Sequence, residues 1–256
     1  MIPETSIGIL LGLISLTGCS INWLIVVIIW RASKLQNSFA LLTVSLAIFD
    51  GIFSTLFLLY ATPMILFDIA MLRARSSVCG YLLMICYDTN TSIHFIISLN
   101  RFLAVFIPIS YHQVFSLNVT RGILLLTVFI SFSVITLFFQ IFECENYYNS
   151  EVRAFQYSQQ EVCTLFALYG DFYQELILTV ISAFLDLITI RRVVKLRAKS
   201  AKSVREINLL KQSISQSTFL LLIVLIMTLA PKLNLGKEYA FIFSSLLWLS
   251  LHSFDG

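Results

Sequence analysis

The stretch Asn100-Arg101-Phe102-Leu103-Ala104-Val105-Phe106-Ile107-Pro108-Ile109-Ser110-Tyr111 lies where the third long apolar run of the chain meets a polar loop. A charged side chain at the end of a membrane helix is costly to place and needs a reason. Here the arginine is followed seven residues later by a proline, and three residues after that by a tyrosine.

Composition shows why a membrane is the right frame. The 256 residues are 58% hydrophobic and 12% charged, with a mean hydropathy of +0.89. Soluble domains carry about 25% charged residues, so a water-soluble core is excluded. A spanning helix takes roughly 20 apolar residues, and seven such runs can be read, at 6–30, 38–66, 79–107, 122–142, 173–190, 213–230 and 239–256. In lipid each must be a helix, and none shows the two-residue alternation of barrel strands. The expected fold is therefore an all-α bundle of seven transmembrane helices forming one domain over 1–256. Its seventh helix is short, and the chain reads as one that stops early.

Charge is informative by position, because a net +3 is small and gives no basis for nucleic-acid binding. With the amino terminus outside, 12 of the 17 Lys and Arg fall on the inner side, eight of them between Arg191 and Lys211. The positive-inside rule favours that orientation. The basic stretch 191–212 is expected to anchor to anionic lipid, to dock a cytoplasmic partner, or both.

Polar residues inside the runs carry the functional reading, because lipid does not tolerate them without interior partners. Ser15, Gly18 and Asn22 share one face of the first run, and Thr43, Asp50 and Ser54 form a stripe on the second. In the third run Cys79, Asn90, His94 and Arg101 fall within about 60° on one helical face. Asn22, Asp50, Asn90 and His94 are thus the expected interior network, with His94 either meeting a ligand or serving as a hydrogen-bonded structural residue. Asp88 lies on nearly the opposite face, with Thr91 and Ser92 able to donate to it, and Asp88 and Thr91 are the candidate ligand-pocket residues. Glu206 and Asp186 are candidate ion-pair partners for Arg101.

The arginine–proline–tyrosine spacing resembles the Asp-Arg-Tyr…Pro-Leu-x-Tyr region of rhodopsin-like G-protein-coupled receptors. Asn22 and the Leu46-Ala47-x-x-Asp50 pattern have counterparts there too. The resemblance implies that Asn100, Arg101, Phe102, Pro108 and Tyr111 couple to a heterotrimeric G protein. It also implies that Asp50 holds a water network or a sodium ion; a protonated Asp50 donating to Asn22 is the alternative. It further implies a disulfide from Cys79 to Cys163 or to Cys144, leaving one outer cysteine over. Cys19 and Cys86 read as small apolar packers.

Within that class the chain resembles the nematode serpentine chemoreceptors of class x (Srx). The residues that carry this are Ile97-Ser98-Leu99-Asn100-Arg101-Phe102, Phe106 to Ser116, Glu206 to Gln212 and His252-Ser253-Phe254-Asp255-Gly256. The resemblance implies a sensory receptor in the plasma membrane, with a small-molecule ligand and a G-protein partner. Span four lacks a Trp, span five a Pro and span six a Cys-Trp-x-Pro, which marks a divergent member. No phosphate-binding loop, metal-spaced cluster or catalytic triad occurs, so neither an enzyme nor a cofactor is expected. The rivals are a truncated receptor remnant or receptor partner, and a secondary transporter. No internal repeat supports the transporter, and a retinal pump lacks its lysine in the seventh run.

Overall fold

The computed structural model describes residues 4–32, 37–151, 153–196, five positions between 215 and 222, and 245–254. Among these, four helices are long and apolar enough to cross a bilayer. They are α1 (Glu4–Arg31), α2 (Ser38–Leu56, continuing to Leu66), α3 (Ser76–Phe106) and α4 (Leu117–Thr136, continuing to Ile141). A fifth helix, α5 (Gln174–Leu196), is preceded by the helical turns Glu161–Leu165 and Phe166–Tyr173. The terminal helix is Leu247–Phe254. Most of the expected sixth run, the first part of the seventh, most of the basic 191–212 stretch and Glu206 lie outside the described residues.

Local chemistry sets the helix ends. The Asn37 side chain accepts from the Ala40 amide at 2.7 Å and caps α2. Ser116 does the same for Val119, so α4 starts at Leu117 and not at 122. Pro63 has no amide to give α2, and a wide turn, Phe57–Ala61, lies just before it. The fifth run is helical from Glu161, well before the expected start at 173. The early turns are covalently anchored at Cys163, and they bury Phe166 against Phe138 with ring centroids 3.9 Å apart.

The helices differ in how far they are covered. In α3, 56% of the apolar window is buried, against 17% in α1 and in α4, so α3 is the central post and α1 and α4 stand at the rim. The rim faces are apolar: Leu13, Leu24 and Ile28 of α1, Leu125 and Phe129 of α4 and Phe184 of α5 are all exposed. This apolar-out surface suits lipid, and small residues bring the inner faces together. Gly18 of α1 abuts Ser253 of the terminal helix, and Gly51 of α2 abuts the Trp23 ring.

A two-stranded antiparallel hairpin, β1 (Asn146–Asn149) and β2 (Ala154–Tyr157), closes the Cys79 end of α3, pairing Asn146 with Tyr157 and Asn149 with Ala154. Tyr148, Phe155 and Tyr157 pack into the main core beside Phe57, Met84 and Phe166. The Tyr148 amide donates to Ser76 Oγ at 3.2 Å. The hairpin backbone lies so close to α3 that a Cβ at position 80 would overlap the Asn146 carbonyl.

The cysteine pairing corrects the expectation. Cys144 is bonded to Cys163, which closes the loop on itself, and Cys79 is a buried free thiol. Both bonded cysteines belong to the loop that carries the hairpin, and the pleated chain between them returns Cys163 to Cys144. Cys79 lies under the hairpin, packed in the apolar core. Non-reducing peptide mapping of the purified protein is therefore expected to find one Cys144–Cys163 cross-link, retained in Cys79→Ser. Gly80→Val should displace the hairpin and lower stability by about 1–3 kcal/mol. Gly122→Ala, where nothing lies within 4 Å of the added carbon, should be neutral or mildly stabilising; thermal unfolding in detergent separates the two.

Candidate functional site

Polar side chains from four helices meet in mid-bundle. Asp50 of α2 is fully buried. Its Oδ1 accepts from Asn90 Nδ2 of α3 at 2.6 Å and lies 2.8 Å from His252 Nδ1 of the terminal helix. Asn22 of α1 donates to the His252 carbonyl at 3.2 Å and to the Gly18 carbonyl at 3.0 Å. A carboxylate cut off from water needs donors on its oxygens, and Asn90 supplies one. His252 supplies another when its proton sits on Nδ1. That tautomer leaves Nε2 an acceptor, and Nε2, Asn90 Oδ1 and the Ser54 hydroxyl are buried without partners among the described residues. Such a donor set suits a water or a small cation. The His252 ring is held by Phe53, at a centroid distance of 4.2 Å, and by Tyr87, at 5.7 Å.

On the hairpin side of this junction lies a tight cleft, with room for about one water-sized group, lined by Tyr87, Asp88, Phe166, Asp171, Gln174 and Glu175 with their neighbours. Gln174 Nε2 donates to Asp88 Oδ1 at 2.6 Å and clamps α5 to α3. The Tyr157 hydroxyl reaches down from β2 and donates to Asp171 Oδ2 at 3.0 Å. Burial, and then the charges of Asp171 and Asp88, push the Tyr157 pKa well above its ordinary value, so this hydroxyl stays a donor. A second cleft of about 270 Å³ starts from the same Asp88 and Gln174 and runs between α3, α4 and α5 to the exposed Ile130.

At the opposite end of α3, Asn100 Nδ2 reaches Ser38 Oγ at 3.3 Å and Tyr111 Oη at 3.4 Å. Ser38 and Tyr111 lie 3.0 Å apart. This triad joins the start of α2 to the short helix Pro108–Val114, which Pro108 opens. The Arg101 guanidinium lies 5.1 Å from the centroid of the Phe39 ring. Asp186 of α5 is fully buried, accepts from Ser98 Oγ at 3.2 Å, and is close enough to act electrostatically on Arg101. Phe102 stacks on Phe106 with ring centroids 4.5 Å apart.

The structure thus brings Asn22, Asp50 and Asn90 into one junction, but it is His252 that joins them. His94 is buried one turn further along α3. Asp88 and Thr91 line the cleft. The sequence signal for His252 is a single imidazole within an apolar run, and its partner Asp50 is 202 residues away. Glu175 is the other cleft residue not foreseen, being an acid at the head of a run otherwise apolar, whereas Asp171 reads in the sequence as one of several acids of the outer loop over the pocket. Asp50→Leu should strand both donors and lower stability by about 2–4 kcal/mol. Asp50→Asn keeps an acceptor and should cost less, as thermal unfolding of the solubilised protein would show.

Comparison with known proteins agrees with this architecture. The family model described as the serpentine type 7TM GPCR chemoreceptor Srx matches residues 13–256. Serpentine receptor class X 45 of Caenorhabditis elegans is 30% identical over 179 residues, which cover 69% of this chain and 49% of that protein. The chain therefore spans about half the length of the curated relative it matches. With a match over nearly its whole length, the chain belongs to the Srx family of serpentine seven-transmembrane chemoreceptors.

Proposed function

We propose that the chain is a single seven-span chemosensory receptor of the plasma membrane. It holds a small chemical in the groove between α3, α4 and α5 and the tight cleft that joins it beneath the hairpin, and it signals to a heterotrimeric G protein at the Arg101 end. The observation that carries this reading is the position of Tyr87. Its side chain lines the cleft, and its ring packs against both His252 and Trp248, at 5.7 and 5.6 Å. A ligand that moves Tyr87 therefore presses on the imidazole that meets Asp50. Past the junction, Leu46, Ile93, Ile97 and Phe115 form an apolar cluster that reaches Tyr111 and the Asn100 triad.

In this reading the ligand prefers one helix arrangement and shifts the population toward it. The Asn100–Ser38–Tyr111 contacts and the pull of Asp186 or Glu206 on Arg101 hold the resting arrangement. Asn100, Arg101, Phe102, Pro108 and Tyr111 form the coupling face. Water or sodium among Asp50, Ser54 and His252 stabilises one of the two states. The Cys144–Cys163 bond supports an extracellular hairpin end, and with it an extracellular amino terminus, because such bonds persist in oxidising compartments.

Contiguity is not coupling, so the test is energetic. Membranes from cells expressing the full chain with heterotrimeric G proteins would be challenged with a panel of volatile and water-soluble chemicals, and nucleotide exchange measured. Arg101→Ala is expected to reduce ligand-driven exchange by about tenfold or more at unchanged surface level, within the usual range of allosteric coupling. Undiminished exchange in that variant would remove the coupling face from this account.

A further inference from the structure

Three carboxyl side chains line the cleft beneath the hairpin: Asp88 of α3, Asp171 just before α5, and Glu175 in its first turn. Two of them have neutral donors, Gln174 on Asp88 and Tyr157 on Asp171. Glu175 has none. It is 7% exposed, lines the cleft, and neither hydrogen-bonds nor ion-pairs with any described residue. Among the described residues, no Lys or Arg lines either this cleft or the groove that continues from it.

Burial and mutual repulsion both work against acids gathered in one cleft. A buried carboxylate without a partner is a liability that a membrane bundle keeps only for a use. Among the described residues, what the cleft lacks is a cation with donors. A metal ion is a poor match, because no three His, Cys, Asp or Glu among the described residues converge closely enough to ligate one. An ammonium group on an organic body is larger and needs no closed shell. The aromatic rings of Tyr87 and Phe166 border the same space and suit such a charge. The groove between α3, α4 and α5 adds Phe95, Ile96 and Val134 beside Ser92, Thr127 and Ser131, which makes it a mainly apolar channel with scattered hydroxyls.

We propose that this cleft recognises an organic amine in its ammonium form. Its N–H groups donate to Glu175 and Asp88, and its apolar body extends along the α3–α4–α5 groove. The inference rests on the reading of the cleft as the ligand site, and it adds the charge and shape of the ligand. Gln174 then has a second role: by holding Asp88 Oδ1 it fixes that carboxylate in place for the ammonium.

The test needs no G protein, so its failure is distinct from a failure of the receptor reading. The detergent-purified full chain would be heated with primary n-alkylamines of four to eight carbons and, in parallel, with the alcohols of the same length. Amines at about a hundredfold excess over their Kd should raise the melting temperature by roughly 5 °C, and the matched alcohols should not. Glu175→Gln and Asp88→Asn should each abolish the amine shift, while Asp68→Asn, an acid outside both clefts, should retain it. If Glu175→Gln does not fold, Asp171→Asn and Asp88→Asn carry the comparison. Equal shifts from amines and alcohols would overturn the ammonium assignment and leave a receptor for neutral chemicals. An absence of any amine shift, or an amine shift that survives both Glu175→Gln and Asp88→Asn, would overturn it as well.

Discussion

The bundle is organised around one buried acid. Asp50 has no exposed surface, and the groups that make its burial tolerable come from elsewhere: Asn90 from α3 and His252 from the terminal helix. Asn22 reaches the same helix through its backbone. Removing the acid would leave the amide and the imidazole facing each other with no shared acceptor. Helices packed only by apolar contacts in lipid gain little preference for one arrangement over another, because lipid tails are as apolar as their side chains. The Asp50 junction supplies that preference and sets the depth at which α2, α3 and the terminal helix meet.

Above and below the junction the same chemistry is used differently. On the hairpin side, the polar groups are acids that face a cleft, and two of them take neutral donors. At the Arg101 end, an amide stands where the rhodopsin-like pattern has an aspartate. Asn100 both donates and accepts, so it can hold Ser38 and Tyr111 together, which a carboxylate alone could not do as a donor. The change also releases Arg101 from a neighbouring charge and lets it lie by the Phe39 ring, under the influence of Asp186.

Much of this was legible in the sequence where the physics is local. Long apolar runs must be helices in lipid, and α1 to α4 fall on the first four of them. Asn22, Asp50 and Asn90 stood out because polar groups in such runs need interior partners, and helical periodicity puts each on an inner face. Periodicity does not say which faces meet, so His252 gave no hint that it would sit beside Asp50. The disulfide was misread for a related reason. The resemblance drew attention to the top of helix three, whereas the bond is decided by how the Glu143–Tyr173 segment folds back on itself. Its hairpin is only four residues per strand, too short for alternation to stand out.

That local bond has an evolutionary consequence. The loop between Cys144 and Cys163 is tied to itself and rests on α3 by packing, by the Ser76 contact and by the space that Gly80 leaves open. No covalent bond joins it to the post that carries the Asp50 junction. Its turn residues can therefore change as a cassette, reshaping the rim of the cleft while the buried junction and the Asn100 triad stay unchanged. The fold thus divides into a cover that tolerates change and an interior that does not.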